Sequence, residues 1–215
     1  TSGGVAAGAM GYKVATGGTL NHHGIVTLTA ADSVGVEING GSMNNDSKIT
    51  VSGTAVDIIG ANSVVNNTGA TTAKNGTAAY RLSDGASLAL SGSGSTNAAG
   101  TAHGILLDTG AVGLIVNGAT INMAASGFGN GIENKAEISG IQLLNTTLNV
   151  GRGAGVRTAA SLAQTNSGTI NVNGTGTGLL LENADGSASA ADYDMSKSQG
   201  LVININSADG SGMTT

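Results

Sequence analysis

Nine times along the chain a small residue is followed by an apolar one, and the side chain two positions further on is usually apolar too. The instances begin at Gly11-Tyr12, Gly35-Val36, Ala55-Val56, Ala79-Tyr80, Gly104-Ile105, Gly131-Ile132, Gly155-Val156, Gly178-Leu179 and Gly200-Leu201. The apolar anchors lie 24, 20, 24, 25, 27, 24, 23 and 22 residues apart. Two positions on come Val14, Ile38, Ile58, Leu82, Leu107, Asn134, Thr158, Leu181 and Ile203. Alternate side chains of a strand share a face, so each phrase predicts a short strand with both positions turned inward. A period in the twenties predicts stacked units, each burying its apolar face against its neighbours. The intervening column should point outward. It reads Lys13, Glu37, Asp57, Arg81, Leu106, Glu133, Arg157, Leu180 and Val202. Lys13 with Glu37, Asp57 with Arg81 and Glu133 with Arg157 are then opposite charges on neighbouring rungs, about 4.8 Å apart.

A second strand family repeats almost as one tetrapeptide: Thr120-Ile121-Asn122-Met123, Thr147-Leu148-Asn149-Val150 and Thr169-Ile170-Asn171-Val172. Lys48–Val51 and Ser87–Leu90 are looser copies. The segments from Leu114 and Ile141 align without a gap, which makes Leu114–Val116 and Ile141–Leu143 a third family. Asn122, Asn149 and Asn171 should form an outward amide ladder. Asn134 and Thr158 should meet as buried polar neighbours. Three strands per turn, joined at Gly and Asn bends that tolerate positive φ, predict an all-β fold. The expected form is a right-handed single-stranded parallel β-helix of about nine coils of 20–27 residues. Thirty-seven glycines argue against a helical solenoid, and Leu spacing does not fit a leucine-rich repeat. Residues 1–215 read as one segment with the repeat running to both ends, so it is expected to be a piece of a longer protein. Residues 182–200 are more polar, with Asp185, Asp192 and Asp194, and are expected to leave the rod as a loop.

Charge changes the picture little. Eight Lys and Arg against thirteen Asp and Glu leave a net charge of −5 without a basic run, which disfavours nucleic acid. There is no Cys for disulfides or thiolate-bound metal, and no apolar run of the ~20 residues that span a bilayer. No signal peptide opens the sequence. His22 and His23 should point to opposite faces, with His103 several rungs away, so no metal site is assembled. The line Lys13, Glu37, Asp57 and Arg81 is the most enzyme-like grouping, since β-helical polysaccharide lyases gather carboxylates across adjacent rungs. A structural charge ladder explains the same residues. No catalytic, cofactor or metal residue is assigned, and ligand-binding residues are left unknown.

Thr169 to Leu179, Asn117 to Asn122 and Gly129 to Ile132 carry a resemblance of repeat style. In these phrases the chain resembles the passenger domain of bacterial autotransporters, the self-associating and matrix-binding adhesins above all. The resemblance implies export across the outer membrane through a C-terminal barrel and display at the bacterial cell surface. It implies a non-catalytic adhesin whose partner is a host extracellular-matrix protein, a glycan, or the same protein on another cell. A polysaccharide-degrading β-helix and a spacer for another domain are the alternatives. Ice binding would need an unbroken Thr column and is the remotest reading.

Overall fold

The structure is a computed structural model that describes residues 8–163, 165–183, 185–187, 196 and 199–215. It is a parallel β-solenoid with essentially no helix among the described residues. Three sheets form its sides. The anchor sheet has nine strands, from Met10–Val14 to Ser211–Thr214. The second sheet has six, from Thr19–His22 to Gln142–Leu144, and the third has eight, from Ile25–Leu28 to Val202–Ile205. Neighbours in each sheet are strands of successive turns, and the described pairings are parallel. Bends place Asn62, Asn75 and Asn145 at positive φ (58°, 58° and 47°), a conformation Asn tolerates.

Eight of the nine expected anchors stack in one column. Tyr12 pairs with Val36, and the series continues through Val56, Tyr80, Ile105, Ile132 and Val156 to Leu179. From Val36 onward they are buried; Tyr12, on the terminal rung, is 39% exposed. The ninth expectation is overturned. Leu201 does not continue the column: Val202–Ile205 joins the third sheet, with Ile203 opposite Ile170. Leu179 instead pairs with Met213, 34 residues on, because Val202–Ile205 supplies the third-sheet strand that precedes it. The coil count changes with it. Six turns carry a strand on all three sides, and a seventh, Ala154–Thr158 with Thr169–Val172, has an irregular second side. There are thus about seven turns rather than nine. On the irregular side the Asn166 carboxamide replaces a strand and accepts the Leu143 N–H at 2.9 Å.

The small residue before each anchor has a packing cause. A Cβ on Gly104 would come within 2.5 Å of both the Gly131 carbonyl oxygen and Ile121 Cγ2. On Gly155 it would lie 2.5 Å from Ile170 Cγ2. The inward column of the third sheet reads Ile49, Thr71, Thr96, Ile121, Leu148 and Ile170 along successive rungs. Where the anchor's neighbour is Gly, the facing side chain is Val, Ile or Leu. On the two rungs with Ala55 and Ala79 it is Thr. The added methyl is thus matched by a smaller partner, which keeps total volume near constant, as close-packed interiors require. Tyr80, the largest buried anchor, lies on one of these rungs and donates its hydroxyl to Thr71 Oγ1 at 3.1 Å. Burial pushes the Tyr80 phenol up to about 12.

Two groups of buried polar side chains bond to neighbours. Asn134 Nδ2 donates to Thr158 Oγ1 and to the Ile138 carbonyl, both at 2.9 Å. Its Oδ1 accepts the Ile138 N–H at 3.2 Å, and Thr158 Oγ1 donates to the Ala160 carbonyl at 2.9 Å. A second chain of this kind runs inside the second sheet. His22 Nδ1 lies 2.7 Å from Asn45 Oδ1, and Asn45 Nδ2 donates to Asn67 Oδ1 at 2.7 Å.

Candidate functional site

The charged column of the anchor sheet forms as the alternation requires, and each pair is in register. Lys13 Nζ lies 2.6 Å from Glu37 Oε1. Arg81 Nε sits between Asp57 (3.8 Å) and Asp108 (3.4 Å). Arg157 joins Glu133 to Glu182, with Nε 2.6 Å from Glu182 Oε2, and its Nη2 donates to the Asn183 carbonyl at 2.8 Å. Asp108 and Glu182 lie just past the strands, so neither is part of the 0/+2 pattern.

The column points outward as expected, yet much of it is covered from solvent. Asp57, Leu106 and Glu133 are buried, the last with 2% exposure. The side chains point away from the core but are covered by one another. The Arg157 guanidinium lies over Glu133, which also accepts a hydrogen bond from Asn130 Nδ2. Burial raises the Asp57 carboxyl above its ordinary value, with Arg81 opposing and Glu37 adding to the rise. His103 lies beside this cluster. Its Nδ1 accepts the Asn130 N–H at 3.0 Å, which fixes the proton on Nε2. Burial holds His103 below its ordinary value; Glu133 works against that, while Lys135 and Arg157 reinforce it.

His22 and His23 do point to opposite faces. His22 is buried, and His23 is exposed with Nδ1 2.7 Å from Asp46 Oδ2. Among the described residues no three His, Asp or Glu side chains are placed to hold a metal ion. Asp192 and Asp194 lie outside the described residues. Asp185 is exposed, and its carboxyl is held low by the Ser187 hydroxyl and N–H at 2.7 and 2.9 Å. The loop expected over 182–200 lies largely outside the described residues; at its two ends Glu182 pairs with Arg157 and Gln199 bridges to Thr165.

The amide ladder is longer than the three residues that the tetrapeptides disclose. Asn97, Asn122, Asn149, Asn171 and Asn204 bond from rung to rung at 3.1, 2.8, 2.9 and 2.9 Å. The extra members sit in Ser95-Thr96-Asn97 and Val202-Ile203-Asn204, whose flanking residues differ from the repeat. The same column continues backward as Thr72, Thr50 and Thr27. Beside it, Ser95, Thr120, Thr147 and Thr169 form a hydroxyl column. Three shallow grooves lie away from the carboxylate column. One of about 290 Å³ crosses the second sheet at Val64, Ala89 and Ile115. One of about 190 Å³ lies at His23, Asp46 and Thr68. The third, of about 220 Å³, runs beside the amide ladder at Lys74, Asn97 and Asn122.

Compared with protein-family models, curated proteins and solved structures, the chain finds no match. Fold and surface therefore carry the functional reading.

Proposed function

We propose that this solenoid is a surface-displayed, non-catalytic bacterial adhesin segment, exported across the outer membrane and engaging its partner through many weak contacts along one face. The observation that carries the reading is the outer face of the third sheet. There one amide and one hydroxyl column recur rung after rung, and side-chain hydrogen bonds fix the amides in place. A repeated array on a rigid support makes each further contact intramolecular, so weak individual bonds accumulate. The carboxylates of the anchor sheet support the same view. Arg81 and Arg157 each hold two of them, which suits a structural ladder. The likeness of the repeat phrases to autotransporter passengers agrees in direction.

Cells displaying the chain on an outer-membrane anchor should adhere or aggregate more than cells displaying the anchor alone. Equal behaviour of the two would favour a spacer. Cleavage of a polyuronate by the purified chain, lost in Asp57→Asn, would make it an enzyme instead.

A further inference from the structure

Charge is distributed unequally among the three sides. The strands of the third sheet contain Lys48 and Lys74 but no Asp or Glu, in a chain with thirteen acids. The acids of the strands, Glu37, Asp57 and Glu133, are all on the anchor sheet. Both lysines are exposed, and neither is ion-paired among the described residues. The nearest acid before Lys48 is Asp46, which His23 engages at 2.7 Å. Lys74 opens onto the groove of about 220 Å³ that also holds Thr72, Asn97, Ala99, Asn122 and Ala124. A cation, a hydrogen-bonding ladder and a floor of small apolar groups therefore share one concavity.

Beyond this groove the ladder continues. A carboxamide has two N–H donors and two acceptor lone pairs. In Asn122, Asn149 and Asn171 the ladder uses one of each and leaves the others for a ligand. The hydroxyls of Thr120, Thr147 and Thr169 stand on the same face two positions earlier. Each rung thus presents donor and acceptor together at a repeat of about 4.8 Å. Vicinal sugar hydroxyls take such pairs, and a pyranose in an extended chain advances by roughly one rung. A protein partner would be expected to find apolar or aromatic anchors. The large exposed apolar side chains of this sheet, Ile25, Val202 and Ile205, are instead at its two ends.

We infer that the outer face of the third sheet is a track for a linear acidic polysaccharide lying along the rod. Its hydroxyls bond to Asn97, Asn122, Asn149 and Asn171, and its anionic groups meet Lys48 and Lys74. The inference rests on the adhesin reading and names its ligand class and face. Aromatic residues are only 2% of the chain, so stacking contributes little and binding is salt-dependent.

The test is affinity electrophoresis of the purified 215-residue chain in gels containing polygalacturonate, dextran sulfate or neutral hydroxyethyl cellulose. The first two probes separate carboxylate from sulfate as the anionic group. At least one of them should retard the chain, and the neutral polymer should retard it far less. Lys48→Gln with Lys74→Gln should weaken the retardation about tenfold without moving the melting temperature, since both side chains are exposed. Asn122→Leu with Asn149→Leu should weaken it too, whereas Asn44→Ala with Asn66→Ala on the second sheet should not. No retardation by either acidic polymer, or indifference to the lysine pair, would overturn the inference. So would equal binding of the neutral polymer. Adhesion of displaying cells to a protein-coated surface without polymer binding would sink this inference and leave the adhesin reading standing. Polymer binding by the purified chain without any adhesion of cells would do the reverse.

Discussion

Single side chains in this rod are held by their counterparts one turn away. Asn134 and Thr158 interrupt an apolar column, yet the side-chain bonds of Asn134 go to Thr158 and to its own bend at Ile138. Asn134→Leu should cost about 1–3 kcal/mol, because Thr158 and the Ile138 N–H lose a partner in a buried place. Adding Thr158→Val should cost much less than a second such amount, since the pair is then replaced as a whole. Chemical denaturation of the four chains of the double-mutant cycle checks this, and strict additivity would mean that the two act independently. Two titratable groups give a pH dependence with opposite signs. Burial lowers His103, so its stabilising contribution is present above the ordinary value of 6.5 and is lost as the pH falls through the folded value. Asp57 is raised, so its contribution is full below 3.8 and is lost as the pH rises through the folded value. Denaturation midpoints should therefore fall between pH 7.5 and 5.5, with a slope of at most about 1.4 kcal/mol per pH unit from one proton. His103→Gln should flatten that limb, because Gln can still accept the Asn130 N–H without binding a proton. An unchanged limb would assign the titration to another group.

At the scale of the strand, the small residue before each anchor and the side chain facing it form one packing unit. Gly104→Ala should destabilise by about 1–3 kcal/mol through overpacking against Ile121. Ile121→Thr in the same chain should recover part of the loss, reproducing the Ala-with-Thr combination of the two neighbouring rungs. The recovery stays partial, because the new Cβ also meets the Gly131 carbonyl. Thermal melts that show no recovery would mean that the backbone contact alone sets the cost. The anchors are legible because the anchor is apolar from Tyr12 to Leu179 and the +2 position is apolar on all these rungs but those of Asn134 and Thr158. Leu201-Val202-Ile203 has the same spacing and so imitates an anchor. Only the Asn204 that follows, which bonds to Asn171, marks it as a third-sheet strand. Most of the second sheet was illegible. Its inward positions include His22, Asn45 and Asn67, which are polar in sequence but hydrogen-bonded to one another in the fold. The ion pairs were foreseen, whereas the burial of Glu133 was not. The cover comes from Asn130 and from Glu182 acting through Arg157, residues whose places depend on bends that carry no periodic signal.

For the molecule as a whole, stability should be close to a sum of turns and their interfaces, because contacts run mainly between neighbouring turns. An entire turn should then be removable if the columns on either side agree. Deleting residues 103–129 takes out one strand from each sheet and brings Asn130 to the place of His103. Tyr80 then meets Ile132 in the anchor column. Asn97 meets Asn149, so the amide ladder closes over the gap. In the charged column Arg81 loses Asp108 but gains Glu133, next to which Arg157 already stands. The result is the alternating series Asp57, Arg81, Glu133, Arg157, without the interruption that Leu106 makes in the full chain. In the inward column Leu82 would lie against Asn134 as Leu107 does in the full chain, and the polar partners of Asn134 remain on its other side. The shortened chain should therefore fold with the same strand signal per residue in far-ultraviolet circular dichroism, melt cooperatively, and lose only modest stability. Deleting residues 115–127 instead removes about half a turn, which places third-sheet strands over second-sheet ones and breaks all three columns. That chain should not show a cooperative melt. If both deletions unfolded, the turns would not be interchangeable units, and the irregular segments after Ala154 would be contributing more than their share of the stability.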